Sequence, residues 1–217
     1  MPIEKYTKKL FDLLNKCKVK RDQTSTHISM GTPVGCYNIN VSKRSRLHTL
    51  MRRAIENENV CLHLLEKHRN QGPLLFDIDI KYESDSSARI YNDMDIKKTV
   101  EIYNKYICKY LNINDIENEC FITEKKIPNC SSGNLYKDGF HGIFPNICVS
   151  NEIQYLIRLD VIQDFKENDY FKNLNYKNKY EDIFDEAIIE KNGWLMYGCS
   201  KPKRDPYLLT YIIDKNL

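Results

Sequence analysis

Apolar residues recur at helical spacing in four segments of the chain. The first helix is predicted for residues 3–18, where the apolar stripe consists of Ile3, Tyr6, Leu10, Leu13, Leu14 and Cys17. The same period returns around Leu50, in a segment that also carries several arginines. A third helix is predicted for Asp93–Leu111 with Asn92 or Asp93 as N-cap, and a fourth begins at Ser150 and ends near Phe165.

Short apolar runs predict the strands. Val60–Lys67 and Pro73–Tyr82 flank the polar turn His-Arg-Asn-Gln-Gly, which is typical of a β-hairpin or of two neighbouring strands. Further strands are predicted at 120–127, 140–144, 146–149, 183–189, 194–199 and 207–213, and a surface loop or short helix at 167–179. Since helices and strands mix without strict alternation, the pattern favours an α+β fold over a doubly wound parallel sheet.

Composition sets the class of protein. The 217 residues suffice for one substantial domain or for two packed lobes that share a core. The content of 41% hydrophobic and 29% charged residues is that of a globular protein. The apolar runs are far shorter than the roughly 20 residues that span a bilayer, and the lysine-rich start does not resemble a secretory signal. We therefore expect a soluble, intracellular protein without a membrane partner.

The basic residues cluster in two places along the chain. The first group contains Lys43, Arg44, Arg46, Arg52 and Arg53, and the second contains Lys201, Lys203 and Arg204. Such clusters suit the phosphate backbone of a nucleic acid, although a solvated helix face is the simpler explanation for either one alone.

The cysteines do not indicate a zinc site. The eight cysteines include no Cys-x-x-Cys pair, and the spacing of Cys61, His63 and His68 matches no familiar zinc pattern. Buried or incidental thiols in a reducing compartment are the better interpretation.

Two aspartates in the strand Leu-Leu-Phe-Asp-Ile-Asp-Ile are the first candidates for chemistry. Residues i and i+2 of a strand point to the same face, so the Asp77 and Asp79 carboxylates project together, about 7 Å apart. Two acids in an apolar strand repel one another unless a cation lies between them. Mg²⁺ or Mn²⁺ would meet that need, although a strand that ends in solvated acids remains the alternative.

A second candidate motif is Lys137-Asp138-Gly139-Phe140-His141. On a strand, Lys137, Gly139 and His141 share one face, where a lysine and a histidine can contact phosphate oxygens and a glycine allows close approach of a substrate. A lone histidine would more often be a core or surface imidazole.

The third candidate motif lies in the last part of the chain. Asp185 could complete a metal site from a neighbouring strand, with Asp182 and Glu186 as rival carboxylates. Ser200 and Lys201 follow and offer a hydroxyl and a cation for a triphosphate. The nearby aromatic residues Trp194 and Tyr197 are equally well explained as part of the core, and Gly198 as a tight turn.

Taken in order, the three motifs resemble those of the archaeo-eukaryotic primase superfamily. They are an apolar strand that ends in Asp-x-Asp, a Lys-x-small-x-His strand, and a later Asp followed by Gly-x-Ser-Lys. The likeness is greatest to PrimPol-type enzymes and to the primase domains of helicase-primases from nucleocytoplasmic large DNA viruses, in which a Leu-Glu-Lys/Arg piece such as Leu65-Glu66-Lys67 precedes the strand. It covers roughly residues 30–213.

The resemblance implies a two-lobed primase-polymerase core with an RNA-recognition-motif-like antiparallel sheet and flanking helices. We expect an N-terminal helix and linker at 1–29 and a single compact core of two lobes at 30–217. The resemblance implies that Asp77, Asp79 and Asp185 hold Mg²⁺ or Mn²⁺ in a cleft between the lobes. It further implies that the triphosphate is bound by Lys137, Gly139, His141, Ser200 and Lys201.

The predicted activity is template-directed nucleotidyl transfer in viral-type DNA replication, in the host cytoplasm or nucleus. Nucleoside triphosphates would be substrates, and a single-stranded DNA template would contact Lys43, Arg44, Arg52 and Arg53. A helicase, fused or separate, is a possible partner, although these residues include no Gly-x-x-x-x-Gly-Lys-Ser/Thr loop.

The chain departs from the superfamily pattern at two places. Leu195 and Met196 stand where many relatives carry an arginine, and Ile189 where they carry a tyrosine. Two other classes of function stay open: an inactive primase-like module that binds single-stranded DNA, and a metal-dependent glycosyltransferase or nuclease that uses the same Asp-x-Asp.

Overall fold

A computed structural model describes residues 5–112 and 118–214. In chain order the elements are α1 Lys5–Lys16, β1 Lys18–Val19, β2 His27–Ser29, β3 Gly35–Tyr37, α2 Val41–Glu58, β4 Leu64–Glu66, β5 Gln71–Glu83, α3 Asp93–Tyr110, β6 Cys120–Glu124, β7 Asn129–Ser132, β8 Leu135–Ser150, α4 Asn151–Asn168, α5 Tyr180–Ile183, a 3₁₀ helix Glu186–Ile188, β9 Trp194–Leu195 and β10 Leu208–Ile213. The mixture of helices with antiparallel sheets confirms the α+β class.

The chain divides into two compact units. The first contains Met1–His68 and Asn192–Pro206, and the second contains Arg69–Lys191 and Tyr207–Leu217. The boundary predicted after residue 29 stays a prediction. Within the described ranges, no helix is both long and apolar enough to cross a membrane.

The first unit consists of an antiparallel sheet and two helices. The strand order is β1-β3-β2-β4-β9. Leu10 and Leu14 on α1 pack with Leu47 and Leu50 on α2 in one apolar core, because each helix repeats its apolar residues every three or four positions. Both helices were predicted; Ile3, the first residue of the predicted α1 stripe, lies outside the described residues.

The second unit is built around the long strands β5 and β8. The sheet order is β10-β6-β8-β5, with β7 also paired to β8. The core side of the sheet, which includes Phe76, Ile78 and Phe140, packs in one cluster with residues of α3 and α4. Both helix starts were predicted: the Asn92 side chain accepts a hydrogen bond from the Met94 amide within a capping box, and Ser150 caps α4.

Three strand predictions are wrong in part. Val60–Lys67 and Pro73–Tyr82 do not pair with each other: β4 pairs with β2 and β9, and β5 pairs with β8. The turn between them is the place where the chain passes from the first unit to the second, so long-range pairing prevails over the local hairpin. The segment 183–189 is no strand either, because Asp185 caps a 3₁₀ helix through the Ala187 amide. The predicted strand 194–199 retains only Trp194–Leu195.

Candidate active site

The register between β5 and β8 places two of the predicted motifs opposite each other. Asp77 pairs with His141, and Asp79 pairs with Gly139. Directly paired residues of antiparallel strands project to the same face. Lys137 lies two positions before Gly139 and therefore shares that face as well.

Ion pairs across the two strands confirm this arrangement. Lys137 Nζ lies 2.5 Å from Asp79 Oδ2, and His141 Nε2 lies 3.3 Å from Asp77 Oδ1. Burial would raise the pKa of Asp77, but the neighbouring His141 and Lys137 hold this pKa below its usual value. Burial and the adjacent Asp77 carboxylate instead raise the pKa of Asp79, and Lys137 offsets this only in part. Lys137 and His141 therefore favour the ionised form of Asp77 more than that of Asp79.

Asp185 joins the two strand aspartates from the segment that follows α5. Phe184 forms a β-bridge with Ile78, and the Asp185 amide donates a 3.0 Å hydrogen bond to the Asp77 carbonyl. One oxygen from each of the three carboxylates lies within 4.8 Å of the others. We call Asp77, Asp79 and Asp185 the acidic triad. Neither rival acid, Asp182 or Glu186, belongs to this group among the described residues.

Arg158 on α4 fixes the backbone that carries Asp185. This arginine is only 7% exposed. Its Nε donates a 2.7 Å hydrogen bond to the Phe184 carbonyl, and its Nη2 donates a 2.8 Å hydrogen bond to the Glu181 carbonyl. A buried guanidinium that bonds two backbone carbonyls holds the segment against the helix. Sequence reasoning missed Arg158 because its apolar helical neighbours give no sign of a polar role.

The acidic triad suits a divalent cation. Mg²⁺ and Mn²⁺ prefer carboxylate oxygens, and three of these oxygens lie close enough together to bind one ion. Among the described residues, the buried Asp77 Oδ1 makes no hydrogen bond of good geometry. His141 Nε2 lies 3.3 Å from this oxygen, and a metal ion would give it a second partner.

Gly139 has a structural role that the sequence did not indicate. A Cβ atom at this position would lie 1.7 Å from the Ile78 carbonyl oxygen, so no larger residue fits beside β5. The glycine therefore allows β8 to approach β5 closely, which brings Lys137 and His141 to the aspartates. Its predicted contact with a substrate stays a prediction.

Tyr207 and Lys125 extend the site beyond the predicted residues. The Tyr207 ring stacks on the His141 imidazole, with ring centroids 3.6 Å apart, and Lys125 Nζ lies 4.6 Å from the Tyr207 ring centroid. Burial and the charges of the strand aspartates raise the pKa of Tyr207, so its hydroxyl stays protonated. The sequence placed Tyr207 only at the start of a strand, and nothing local to it points to His141.

The other two predicted nucleotide contacts belong to the first unit. Ser200 is fully buried, and its Oγ lies 3.1 Å from Cys61 Sγ. The Ser200 carbonyl lies 2.7 Å from His63 Nδ1. Lys201 is exposed. The buried hydroxyl of Ser200 thus has a structural partner, and its predicted contact with a triphosphate stays a prediction.

The residues predicted to bind the template all lie on α2. Arg52 and Arg53 are exposed, whereas Lys43 and Arg44 are half-buried. Arg52 forms a long, exposed ion pair with Glu56, at 3.9 Å, and the Arg53 guanidinium lies 5.4 Å from the Tyr6 ring centroid. The exposed Arg52 side chain is therefore accessible to an anionic partner.

Known proteins resemble most of this chain. Residues 26–213 match the family model described as the N-terminal AEP domain of the C962R protein. The chain is 32% identical over 208 residues to the "Putative helicase L207/L206" of Acanthamoeba polyphaga mimivirus, an alignment that covers 94% of the chain and 22% of that relative. It is 26% identical over 212 residues to the "Putative helicase 184R" of Invertebrate iridescent virus 6, an alignment that covers 88% of the chain and 22% of that relative. The chain thus spans about a fifth of the length of these curated relatives.

Proposed function

The chain belongs to the family of C962R-type N-terminal AEP domains, the archaeo-eukaryotic primases, and from this premise we propose that it catalyses metal-dependent, template-directed nucleotidyl transfer. Primase-like domains of this family occur in helicase-named proteins of large DNA viruses. The observation that supports a catalytic role is the acidic triad, which faces a lysine and a histidine across two paired strands.

In this proposal Asp77, Asp79 and Asp185 hold Mg²⁺ or Mn²⁺. An ion held there would lower the pKa of the attacking 3′-hydroxyl and neutralise charge on the departing pyrophosphate. The three carboxylates orient the ion. Asp185 also accepts a 2.9 Å hydrogen bond from the Ala187 amide, which limits the rotation of its carboxylate.

Lys137 and His141 bind the triphosphate in the same proposal. The Lys137 side chain is 41% exposed, so it is able to turn from Asp79 towards a phosphate oxygen. Stacking on Tyr207 fixes the plane of the His141 ring. A ring held in place can stabilise developing negative charge without losing further rotational freedom.

The remaining partners follow from the family and from the basic residues. We propose that a single-stranded DNA template contacts Lys43, Arg44, Arg52 and Arg53, and that Ser200 and Lys201 contact the nucleotide. Both relatives are named putative helicases and are several times longer than this chain. We therefore propose that a helicase, fused or separate, unwinds the template.

One assay tests the proposed reaction. The protein is incubated with labelled nucleoside triphosphates, Mg²⁺ or Mn²⁺, and primed or unprimed single-stranded DNA. Metal-dependent incorporation is expected, and Asp77→Ala should abolish it while binding of single-stranded DNA stays measurable. Asp182→Ala removes an acid outside the triad and should keep full activity.

Three results would contradict the proposal. Undiminished synthesis by Asp77→Ala would exclude the acidic triad as the metal site. Degradation of the DNA in place of extension would indicate a nuclease. Binding without turnover under either metal would indicate a DNA-binding module.

A further inference from the structure

The first unit contains an apolar cavity beside the arginines of α2 that are proposed to contact the template. Its volume is about 500 Å³. Met51 and Ile55 of α2 line one side, and Trp194, Met196 and Tyr197 line the other. Tyr197 is 64% exposed and, with the half-buried Trp194 and Met196, forms a contiguous apolar surface that reaches the solvent.

Charged side chains complete the lining of this cavity. Arg52 and His48 come from α2, and two carboxylates, Glu56 and Glu66, contribute hydrogen-bond acceptors. The Arg52 and Glu56 side chains are 67% and 60% exposed, so each is free to turn towards a ligand. The cavity therefore combines aromatic surfaces with a cation and with acceptors for amino groups.

Both walls of the cavity continue into basic runs. The α2 wall carries Lys43, Arg44, Arg46, Arg52 and Arg53, and the wall that ends at Tyr197 is followed by Lys201, Lys203 and Arg204. Arg46 and Arg53 are exposed, and the Arg53 guanidinium lies 5.4 Å from the ring centroid of Tyr6 on α1. A ligand that places a flat ring in the cavity and phosphates on either side would match this distribution of charge.

We propose that the cavity binds an unpaired base of single-stranded nucleic acid, with the adjoining phosphates on the arginines of α2. A base is flat enough to stack on Trp194 or Tyr197. Its exocyclic amino groups can donate to Glu56 or Glu66. An apolar peptide would offer no phosphates to the arginines and no amino groups to these carboxylates, so the nucleic acid fits the lining better.

This proposal rests on the template contacts proposed for α2 and gives them a base-binding site, and it is tested without catalysis. Trp194 is the single tryptophan of the chain and lies in the cavity wall, so its fluorescence reports directly on occupancy. The full chain is titrated, in EDTA and without nucleotides, with a short single-stranded oligodeoxynucleotide and with an abasic strand of the same length. The base-bearing strand should quench the fluorescence, and the abasic strand should not.

Variants of Tyr197 test whether binding of the base-bearing strand depends on stacking. Tyr197→Ala should weaken binding of the base-bearing strand roughly 5- to 150-fold, the range expected when one stacking partner is lost. Tyr197→Phe keeps the ring and should bind as the wild type does. Tyr155→Ala removes a tyrosine from α4 in the second unit and serves as the matched control. Thermal melting of each variant confirms that it is folded.

The outcome is independent of the enzymatic assay. Asp77→Ala should still show the quenching, so a failure of catalysis does not count against the cavity. Equal quenching by the abasic strand, or unchanged affinity in Tyr197→Ala, would overturn the proposal. Absence of quenching by any oligonucleotide would do so too, as would self-association of the protein that Tyr197→Ala abolishes.

Discussion

Two groups of carboxylates lie on opposite faces of the same sheet and are neutralised in different ways. The acidic triad lies on the face of Asp77 and His141, which pair directly. On the other face, Asp138 and Glu124 lie beside Arg89, because alternate residues of β8 project to alternate sides and Glu124 pairs with Phe140 of the core. We call Arg89, Tyr91, Glu124 and Asp138 the arginine cluster.

The two carboxylates of the arginine cluster share the Arg89 guanidinium, and among the described residues Asp138 Oδ2, like Asp77 Oδ1, makes no hydrogen bond of good geometry. Arg89 Nε lies 3.1 Å from Asp138 Oδ2, and its Nη1 donates to Glu124. The Tyr91 hydroxyl lies within hydrogen-bond distance of Glu124 Oε1, at 2.8 Å, and of the Gly139 carbonyl, at 2.9 Å. In the acidic triad, Asp79 instead pairs with Lys137 and Asp77 lies beside His141, and among the described residues no arginine forms an ion pair with the triad. Carboxylates paired with an arginine support the fold, whereas three carboxylates that converge on one point are suited to a metal.

The largest expected effect is on catalysis by a triad variant. Asp79→Asn keeps the size of the side chain and removes one proposed metal ligand, so nucleotide incorporation should fall at least about 1000-fold, or roughly 4 kcal/mol in the transition state. Thermal melting should show a folded protein. Glu124→Gln, the counterpart in the arginine cluster, should lose less than about tenfold per folded molecule. Similar losses of activity in Asp79→Asn and Glu124→Gln would show that the two groups of carboxylates do not differ in their role in catalysis.

The next effect is on stability and concerns the arginine cluster. Arg89→Met leaves two buried carboxylates without their cation, and we expect the free energy of unfolding to fall by about 3 kcal/mol, because the arginine side chain is 27% exposed and its loss belongs at the lower end of the range for buried pairs. Urea denaturation measures this change. Lys98→Met removes a cation from an exposed pair on α3 and should change stability by under about 1 kcal/mol.

Metal binding should stabilise the folded protein only when the acidic triad is intact. Mn²⁺ at about 100 times its dissociation constant should raise the free energy of unfolding by about 2.7 kcal/mol, since only the folded chain brings the three carboxylates together. Differential scanning fluorimetry with and without Mn²⁺ detects the shift. Asp79→Asn should lose most of it, and Glu124→Gln should keep it. A shift that survives in Asp79→Asn would place the metal elsewhere.

The smallest effect is a dependence of stability on pH in the arginine cluster. Burial raises the pKa of Asp138, and Arg89 offsets this only in part. The folded protein therefore binds this proton more tightly than the unfolded chain, so the resulting stabilisation is full below the unfolded pKa of roughly 3.9 and is lost as the pH rises through the folded pKa. Asp138→Asn should gain stability relative to the wild type as the pH rises from 4 to 7, measured by urea denaturation at each pH. A constant difference would exclude Asp138 as the titrating group.

Local patterns predicted the helices and the chemistry of the paired strands. The apolar period and the N-caps at Asn92 and Ser150 depend on neighbours in sequence, and α3 and α4 begin where these residues predict. The alternation of Asp77 and Asp79 predicted one shared face, and the structure shows that face. Periodicity of this kind is fixed by backbone geometry and needs no knowledge of the tertiary fold.

Partners that are distant in sequence could not be predicted in this way. The segment 68–72 has the sequence of a hairpin turn. The strand β5 that follows it nevertheless pairs with β8 along most of its length, with Asp79 opposite Gly139. Arg158 and Tyr207 act on Asp185 and His141 only through the tertiary fold. The segment 183–189 is apolar enough for a strand, but the Asp185 carboxylate accepts a hydrogen bond from the Ala187 amide and caps a 3₁₀ helix.

The Arg158 anchor bears on which ion the site selects. Two ligands of the acidic triad lie on a strand in the middle of a hydrogen-bonded ladder, and the third lies on a segment held by two hydrogen bonds from one guanidinium. Mg²⁺ demands nearly ideal octahedral geometry, whereas larger ions tolerate longer and less regular contacts. In the proposed metal site, a tightly held Asp185 segment would therefore favour the small ion, and a more loosely held segment would admit larger ions.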